Sequence, residues 1–211
     1  MTRITWGGYD ERVYEAGVDR GVLYVPALAG VAWNGLTSVS ENPIGGEAKP
    51  YYIDGIKYLN ISSAEEFAAT INALSSPSQF GPCDGTRGIH NGLFVTQQPR
   101  ISFGLSYRTK IGSDAGRDRG YKIHLVYNAM AAPSQRPFRS LGSTTDPAAF
   151  SWDITTKPPS ITGYKPTAHL VIDSRTTSIE VLAEIEDLLY GAEGEDPTLP
   201  TPNEIIAIFA P

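Results

Sequence analysis

The sequence predicts an α+β chain, mainly antiparallel β, of β-sandwich or barrel-like form with one or two short flanking helices. Two observations carry this. Three consecutive central segments alternate apolar and polar residues with a period of two, and only two stretches place a helix start signal ahead of an apolar stripe. Successive side chains of a strand point to opposite faces, so an alternating segment has one apolar face and one polar face.

In the first segment Ile101, Phe103, Leu105 and Tyr107 share a face, opposite Ser102, Ser106, Arg108 and Lys110. The second sets Tyr121, Ile123, Leu125 and Tyr127 against Lys122, His124 and Asn128, and the third sets Phe150, Trp152 and Ile154 against Ser151, Asp153 and Thr155. The expectation is an antiparallel sheet with one buried face and one wet face. Residues 112–120 read as a polar, glycine-rich hairpin connection and residues 132–147 as a longer loop with Pro and Ser. Further strands are expected at residues 21–26, 32–40, 51–60, 167–173 and 204–209.

Ser63 with Glu66 has the spacing of a capping box ahead of Phe67, Ile71 and Leu74, which predicts a helix covering a sheet face or edge. Thr177 with Glu180 predicts a second, with Leu182, Ile185 and Leu189 as its stripe and Gly191 as its stop. Residues 192–202 read as an acidic, proline-marked arm. No repeat and no domain-sized linker interrupts the 211 residues, so a single domain over 1–211 is expected, with an N-terminal arm (1–19), a long inter-strand loop (41–50) and a C-terminal arm or strand (192–211).

Composition excludes several functions. A net charge of −6 opposes binding nucleic acid by phosphate neutralisation, which needs clustered Lys and Arg. Cys83 is the only cysteine, which excludes an internal disulfide and a cysteine-based zinc site. Residues 1–8 lack the apolar core of a signal peptide, and no stretch approaches the roughly 20 apolar residues of a spanning helix, so synthesis and assembly in a cytoplasm are expected.

Candidate chemistry is sparse. His90 lies in a Gly-flanked segment and His124 and His169 fall on the polar faces of strands, without a ligand-spacing motif; solvated histidines are expected and no metal. Cys83, in Gly81-Pro82-Cys83-Asp84-Gly85, reads as an incidental loop cysteine because no positioned base or helix N-terminus accompanies it. Asp54 and Asp153 have no carboxylate partner that would tune them for acid–base work. Arg108, Lys110, Arg117 and Arg119, interleaved with Asp114 and Asp118, read as a solvated hairpin or as an intersubunit salt-bridge strip. No catalytic, cofactor-binding or metal residue is assigned, and an enzyme is not expected.

The ordered motifs resemble a known family. Trp33-Asn34-Gly35-Leu36-Thr37-Ser38-Val39, Gly45-Gly46-Glu47-Ala48, Tyr51-Tyr52-Ile53-Asp54-Gly55-Ile56-Lys57-Tyr58 and Ala64-Glu65-Glu66-Phe67 are followed by Gly104-Leu105-Ser106-Tyr107-Arg108-Thr109, Gly120-Tyr121-Lys122-Ile123-His124-Leu125-Val126-Tyr127, Ala131-Ala132-Pro133-Ser134 and Leu188-Leu189-Tyr190-Gly191. In this order they resemble the major tail tube proteins of long, non-contractile-tailed bacteriophages, from about residue 19 to the C-terminus.

That resemblance implies a virion structural protein forming stacked hexameric rings, a hollow tube that surrounds a tape measure protein and later conducts DNA. Tail terminator and distal tail proteins are the implied partners, and DNA passes through transiently and non-specifically, with no sequence-specific binding. Many such proteins carry a further immunoglobulin-like domain, which this sequence is too short to hold. The resemblance also implies that the loop of residues 41–50 reaches the adjacent ring, through Glu41, Pro43, Ile44, Gly45, Gly46, Glu47 and Lys49, with Ile44 as apolar anchor. Trp6 and Tyr9, with Ile4 and Tyr14, give the N-terminal stretch enough aromatic area to dock on its own or a neighbouring subunit. Competing readings are another tail ring (a terminator, a distal tail ring or a contractile-tail inner tube) and a soluble β-sandwich binding module using Trp6, Trp33 or Trp152.

Overall fold

β-Branched and aromatic side chains pack well on a pleated surface, which is why the alternating segments form strands. The computed structural model describes residues 3, 6–7, 12–114, 116–138, 140 and 148–210. Among them the strands, in chain order, are β1 (Val13–Tyr24), β2 (Val31–Ala32), β3 (Leu36–Glu41), β4 (Ile44–Gly45), β5 (Ala48–Ile53), β6 (Ile56–Ser62), β7 (Glu65–Glu66), β8 (Ala68–Ala73), β9 (Arg87–His90), β10 (Leu93–Val95), β11 (Phe103–Ser113), β12 (Gly116–Ala131), β13 (Phe150–Thr156) and β14 (His169–Asp173). The helices are α1 (Ile179–Tyr190) and α2 (Pro202–Phe209), and a 3-10 turn spans Ser78–Asp84. The fold is mainly antiparallel β with short helices, as the alternation predicts. No described helix is long and apolar enough to cross a membrane.

The main sheet runs β2-β1-β11-β12-β13-β8-β3. Strand β12 is long enough to serve two neighbours along one edge: Lys122 to Val126 pair with β14, and Ala129 to Ala131 pair with β13. The sheet forks there, and the β13-β8-β3 limb folds back so that Ile71, Trp152 and Ile154 share a core with Phe103, Leu105, Tyr107 and Val126. Trp152 meets Trp33 and Phe80 edge-on, with ring centroids 5.7 and 5.2 Å apart. Placing Trp152 in the core agrees with the alternation around it.

The expected strand over residues 32–40 breaks into β2 and β3 because Trp33 turns inward, where its Nε1 donates to the Ser75 carbonyl at 2.8 Å. Gly35 completes that turn: a Cβ there would lie 2.6 Å from the Ser75 backbone nitrogen, closer than any side chain allows.

A second core lies on the opposite face of β11 and β12, where Ile123, Leu125 and Tyr127 pack under Leu182, Ile185 and Leu189 of α1 and Ile205 of α2. The expected wet face is therefore corrected: the central strands are covered on both sides. Ser106 is fully buried and shares a hydrogen bond of 3.1 Å with Tyr24. Arg108 grips Asp19 of β1 through two bonds of 2.7 and 2.9 Å and lies over the Tyr121 ring. Lys110 reaches the same carboxylate at 3.2 Å, so these two cations of the expected solvated hairpin serve the β1–β11 seam.

Other expectations change as well. The helix expected from Ser63 is β7 and β8, because residues 68–73 sit between β3 and β13 and complete ladders on both edges. The Ser63 hydroxyl accepts from the Gly46 N–H at 3.2 Å rather than capping a helix. The final strand expected at residues 204–209 is α2, whose capping box joins Thr201 and Glu204 with Pro at the first turn. Helix α1 forms where expected, starting one residue later on Ser178, and its stripe of Leu182, Ile185 and Leu189 is buried. The expected connection at residues 112–120 is mostly strand, as β11 continues to Ser113 and β12 begins at Gly116. In the N-terminal stretch, residues 13–19 belong to β1 and pair with β11.

Candidate functional site

Two features stand out at one end of β3: a long exposed arm and a buried polar cluster at its root. Strands β3 and β8 are antiparallel neighbours with Glu41 opposite Ala69, and Asn42 N–H donates to the Ala68 carbonyl at 2.8 Å. Residues 43–66 are thus an insertion in what would otherwise be a tight hairpin. The arm's base is the β4–β7 pair, Ile44 opposite Glu66 and Gly45 opposite Glu65. Its blade is the β5–β6 hairpin, turned by Asp54 and Gly55, both with positive φ. Asp54 is a turn residue, as its sequence context indicates.

Every residue from Glu41 to Glu66 is exposed. Tyr51, Tyr52, Ile53, Ile56, Tyr58, Leu59 and Ile61 are among them, with Ile56 73% and Tyr58 68% exposed. Charged and apolar side chains alternate poorly here, so neither face of the blade is consistently polar.

The contact candidates fall as follows. Glu41 ends β3, Pro43 precedes β4, and Ile44 in β4 is 56% exposed. Gly45 has φ +89°, and a Cβ there would lie 2.3 Å from the Ala64 carbonyl oxygen, so only glycine closes the base. The Gly46 carbonyl accepts from the Ser62 hydroxyl at 2.9 Å. Glu47 is exposed between β4 and β5, and Lys49 lies in β5 opposite Ile61. The expected loop of residues 41–50 is therefore not a loop but the outgoing half of a longer, partly stranded arm. Trp6 is 85% exposed. Tyr9 and Ile4 lie outside the described residues.

The polar cluster corrects the expectation of solvated strand histidines. His124 is buried, 6% exposed, and His169 is half-buried. His90 ends β9, is exposed, and does not join them. Tyr107 and His124 are register partners across β11 and β12, so they share a face, and their rings stack 4.6 Å apart. His124 Nδ1 lies 3.1 Å from His169 Nε2 and 3.3 Å from Glu41 Oε1. Tyr107 donates to the same Glu41 oxygen at 2.7 Å. On the far side of the ring, His124 Nε2 is 3.1 Å from Thr109 Oγ1, whose hydroxyl donates to Glu15.

This network assigns the tautomers. Thr109 spends its proton on Glu15, so His124 Nε2 carries the N–H that Thr109 accepts; Nδ1 is then bare and accepts from His169 Nε2–H. Burial pushes both histidines towards the neutral form, outweighing the opposing pull of Glu41 on each and of Glu15 on His124, and His169 falls to about 4. Burial raises the Tyr107 hydroxyl further, with Glu41 adding to it. For Glu15 burial works upward, but Lys122 and Thr109 overcome it and hold the carboxyl below its ordinary range.

Cys83 sits fully buried against the first core, and burial lifts its thiol to about 11, so no thiolate is available near neutrality. Asp153 is exposed and accepts from Thr70 at 2.7 Å.

No protein-family model matches this chain, and no curated protein matches it. Among solved structures, it is similar to the tube-terminating cap of the anti-feeding prophage, with a TM-score of 0.42 and 8% identity over 82% of this chain and 97% of that one. It is also similar to a chain of the six-fold-symmetrised anti-feeding prophage baseplate, with a TM-score of 0.39 and 6% identity over 82% of this chain and 100% of that one.

Proposed function

We propose that this chain is a self-assembling structural subunit of a phage-type tail tube, in which the arm of one copy lies on the body of another. One observation carries the reading: residues 41–66 are exposed without interruption while displaying eight large apolar side chains. An isolated two-stranded hairpin is marginal in water, and an apolar surface of this extent on a monomer marks an interface. A second copy is the occupant because the same chain offers complementary open sheet edges. Among the described residues the β1–β2 ladder joins Val22 and Leu23, residues 13–20 of β1 have no ladder partner opposite β11, and β3, which approaches β1 near Gly21, pairs with β8 on one edge. Edge-to-edge joining around a ring removes both edges, and the arm then reaches along the axis to the next ring.

The ordered sequence motifs support the tail tube class over other ring-forming proteins. The net charge of −6 suits a lumen that DNA traverses without sticking, since like charge disfavours phosphate binding. The role requires no catalytic centre.

Electron microscopy of the concentrated chain tests the reading, alongside a variant in which residues 43–66 are replaced by a two-residue Asn-Gly turn. Uniform hollow tubes from the wild type, with loss of stacking and retained circular dichroism in the variant, are the expected result. Single closed rings at every concentration would assign a ring that ends or begins a tube instead. Monomers throughout would overturn assembly as the function.

A further inference from the structure

We propose that Glu41, His124 and His169 form a binding site for one divalent transition-metal ion of the zinc type, joining β3 at the root of the arm to β12 and β14. The three donor atoms, Glu41 Oε1, His124 Nδ1 and His169 Nε2, make a triangle with sides of 3.1, 3.3 and 3.8 Å. A tetrahedral ion with bonds of about 2.0–2.1 Å spaces its ligand atoms about 3.3 Å apart. One ion between these atoms therefore reaches all three.

The surrounding groups are those such a site needs. Ligating histidines donate their second ring N–H to a carboxylate, a carbonyl or water, which fixes the tautomer. His124 already keeps its Nε2–H on Thr109, with Glu15 Oε1 3.6 Å away, and so leaves Nδ1 unprotonated toward the other two donors. Tyr107 holds the Glu41 oxygen in place at 2.7 Å. Only His169 changes: its ring, on Phe67 at 4.4 Å, meets His124 end to end, and binding replaces that single N–H···N bond by two nitrogen–metal bonds after a rotation of the His169 side chain. The proton of Nε2 passes to Nδ1 of the same ring, so the imidazole remains neutral.

Two imidazoles and one carboxylate suit zinc, cobalt or nickel rather than magnesium or calcium, which prefer all-oxygen sites. The Glu41 side chain is 39% exposed, so an ion enters along it and water fills the fourth position. Bound there, the ion links the strand that leads into the arm to the doubly covered sheet. The site uses side chains of one chain and stands whether or not rings form.

The test is titration of the tag-free chain, stripped with chelator, with Co²⁺ followed by Zn²⁺. The expected result is one ion per chain, the visible absorption of tetrahedral Co²⁺, and its displacement by Zn²⁺. Glu41→Gln and His169→Gln should each weaken binding by about 100-fold or more, Tyr107→Phe by roughly 10-fold, and His90→Gln not at all. Glu41 is exposed, so E41Q keeps the test valid if H169Q fails to fold. Absence of saturable binding by the wild type, or affinities within about twofold of it in E41Q, would overturn the site.

Discussion

The arm and the body of this molecule follow opposite rules. In the body, the central residues of β11 and β12 are covered on both faces, and polar side chains there are paired: Arg108 with Asp19, Ser106 with Tyr24, His124 with Thr109, Glu41 and His169. In the arm, β5 and β6 are exposed from end to end, and their tyrosines and isoleucines touch little of their own chain. The body buries a core of its own, whereas the arm carries apolar surface that its own chain leaves uncovered. The two also differ in how local their instructions are. The blade's Asp54-Gly55 turn is readable from a dipeptide, while the body depends on register between strands far apart in sequence.

That contrast is open to challenge through stability, measured by urea unfolding of the monomer. The largest expected effect is Trp152→Ala, a cavity at the junction of Trp33, Phe80 and Phe150, which should cost about 3–5 kcal/mol. Equal loss from Tyr58→Ala in the arm would erase the distinction.

Next comes Asp19→Asn, which removes one half of the bidentate pair with Arg108 across β1 and β11 and should cost about 1–3 kcal/mol at pH 7. Its pH dependence has a definite sign. Hydrogen bonding from Arg108, aided by Lys110 and outweighing burial, holds the Asp19 carboxyl below its ordinary value in the folded state. The stabilisation is therefore present above the unfolded value of about 3.9 and is lost as pH falls through the lower folded value. The gap between the wild type and the Asn variant should narrow steadily as unfolding is repeated at pH values below the unfolded one; a gap that stays constant would contradict the assignment.

Smaller still, Thr201→Ala should cost about 1 kcal/mol by removing the cap of α2, and the loss should appear as a lower melting temperature. Smallest is Tyr58→Ala, within about 0.5 kcal/mol in the monomer despite deleting a large side chain.

Much of the body is legible in the sequence. The alternation of Phe103, Leu105 and Tyr107, and of Trp152 and Ile154, marks β11 and β13 because each has one strongly apolar face. The covered second face of β12 is less obvious: Ile123-His124-Leu125-Val126-Tyr127 is nearly continuous in apolar and aromatic character, which is the mark of a strand buried on both sides, although period-two alternation is also present. Alternation alone puts His124 on a polar face, whereas the second covering layer buries it.

Ser63 and Glu66 match a capping box, yet residues 68–73 gain a ladder on each edge as a strand, and tertiary pairing outweighs the local signal. At Thr201-Pro202-Asn203-Glu204 the same pattern does start a helix, with Pro at the first helical position as a second cue, where the isoleucines after it favour a strand by composition. The Glu41–His124–His169 cluster has no local signature, because its members lie on three strands brought together by the fork of β12 and the fold-back of β3.

The most direct measurement is hydrogen–deuterium exchange across residues 42–67 at low and high protein concentration. If a second copy covers the arm, the amides of β5 and β6 exchange rapidly in the dilute monomer and slow markedly on assembly, while those of β11 and β12 are protected throughout. Equal exchange of the blade in both states, with assembly confirmed in the same sample, would show that the arm is not the contact.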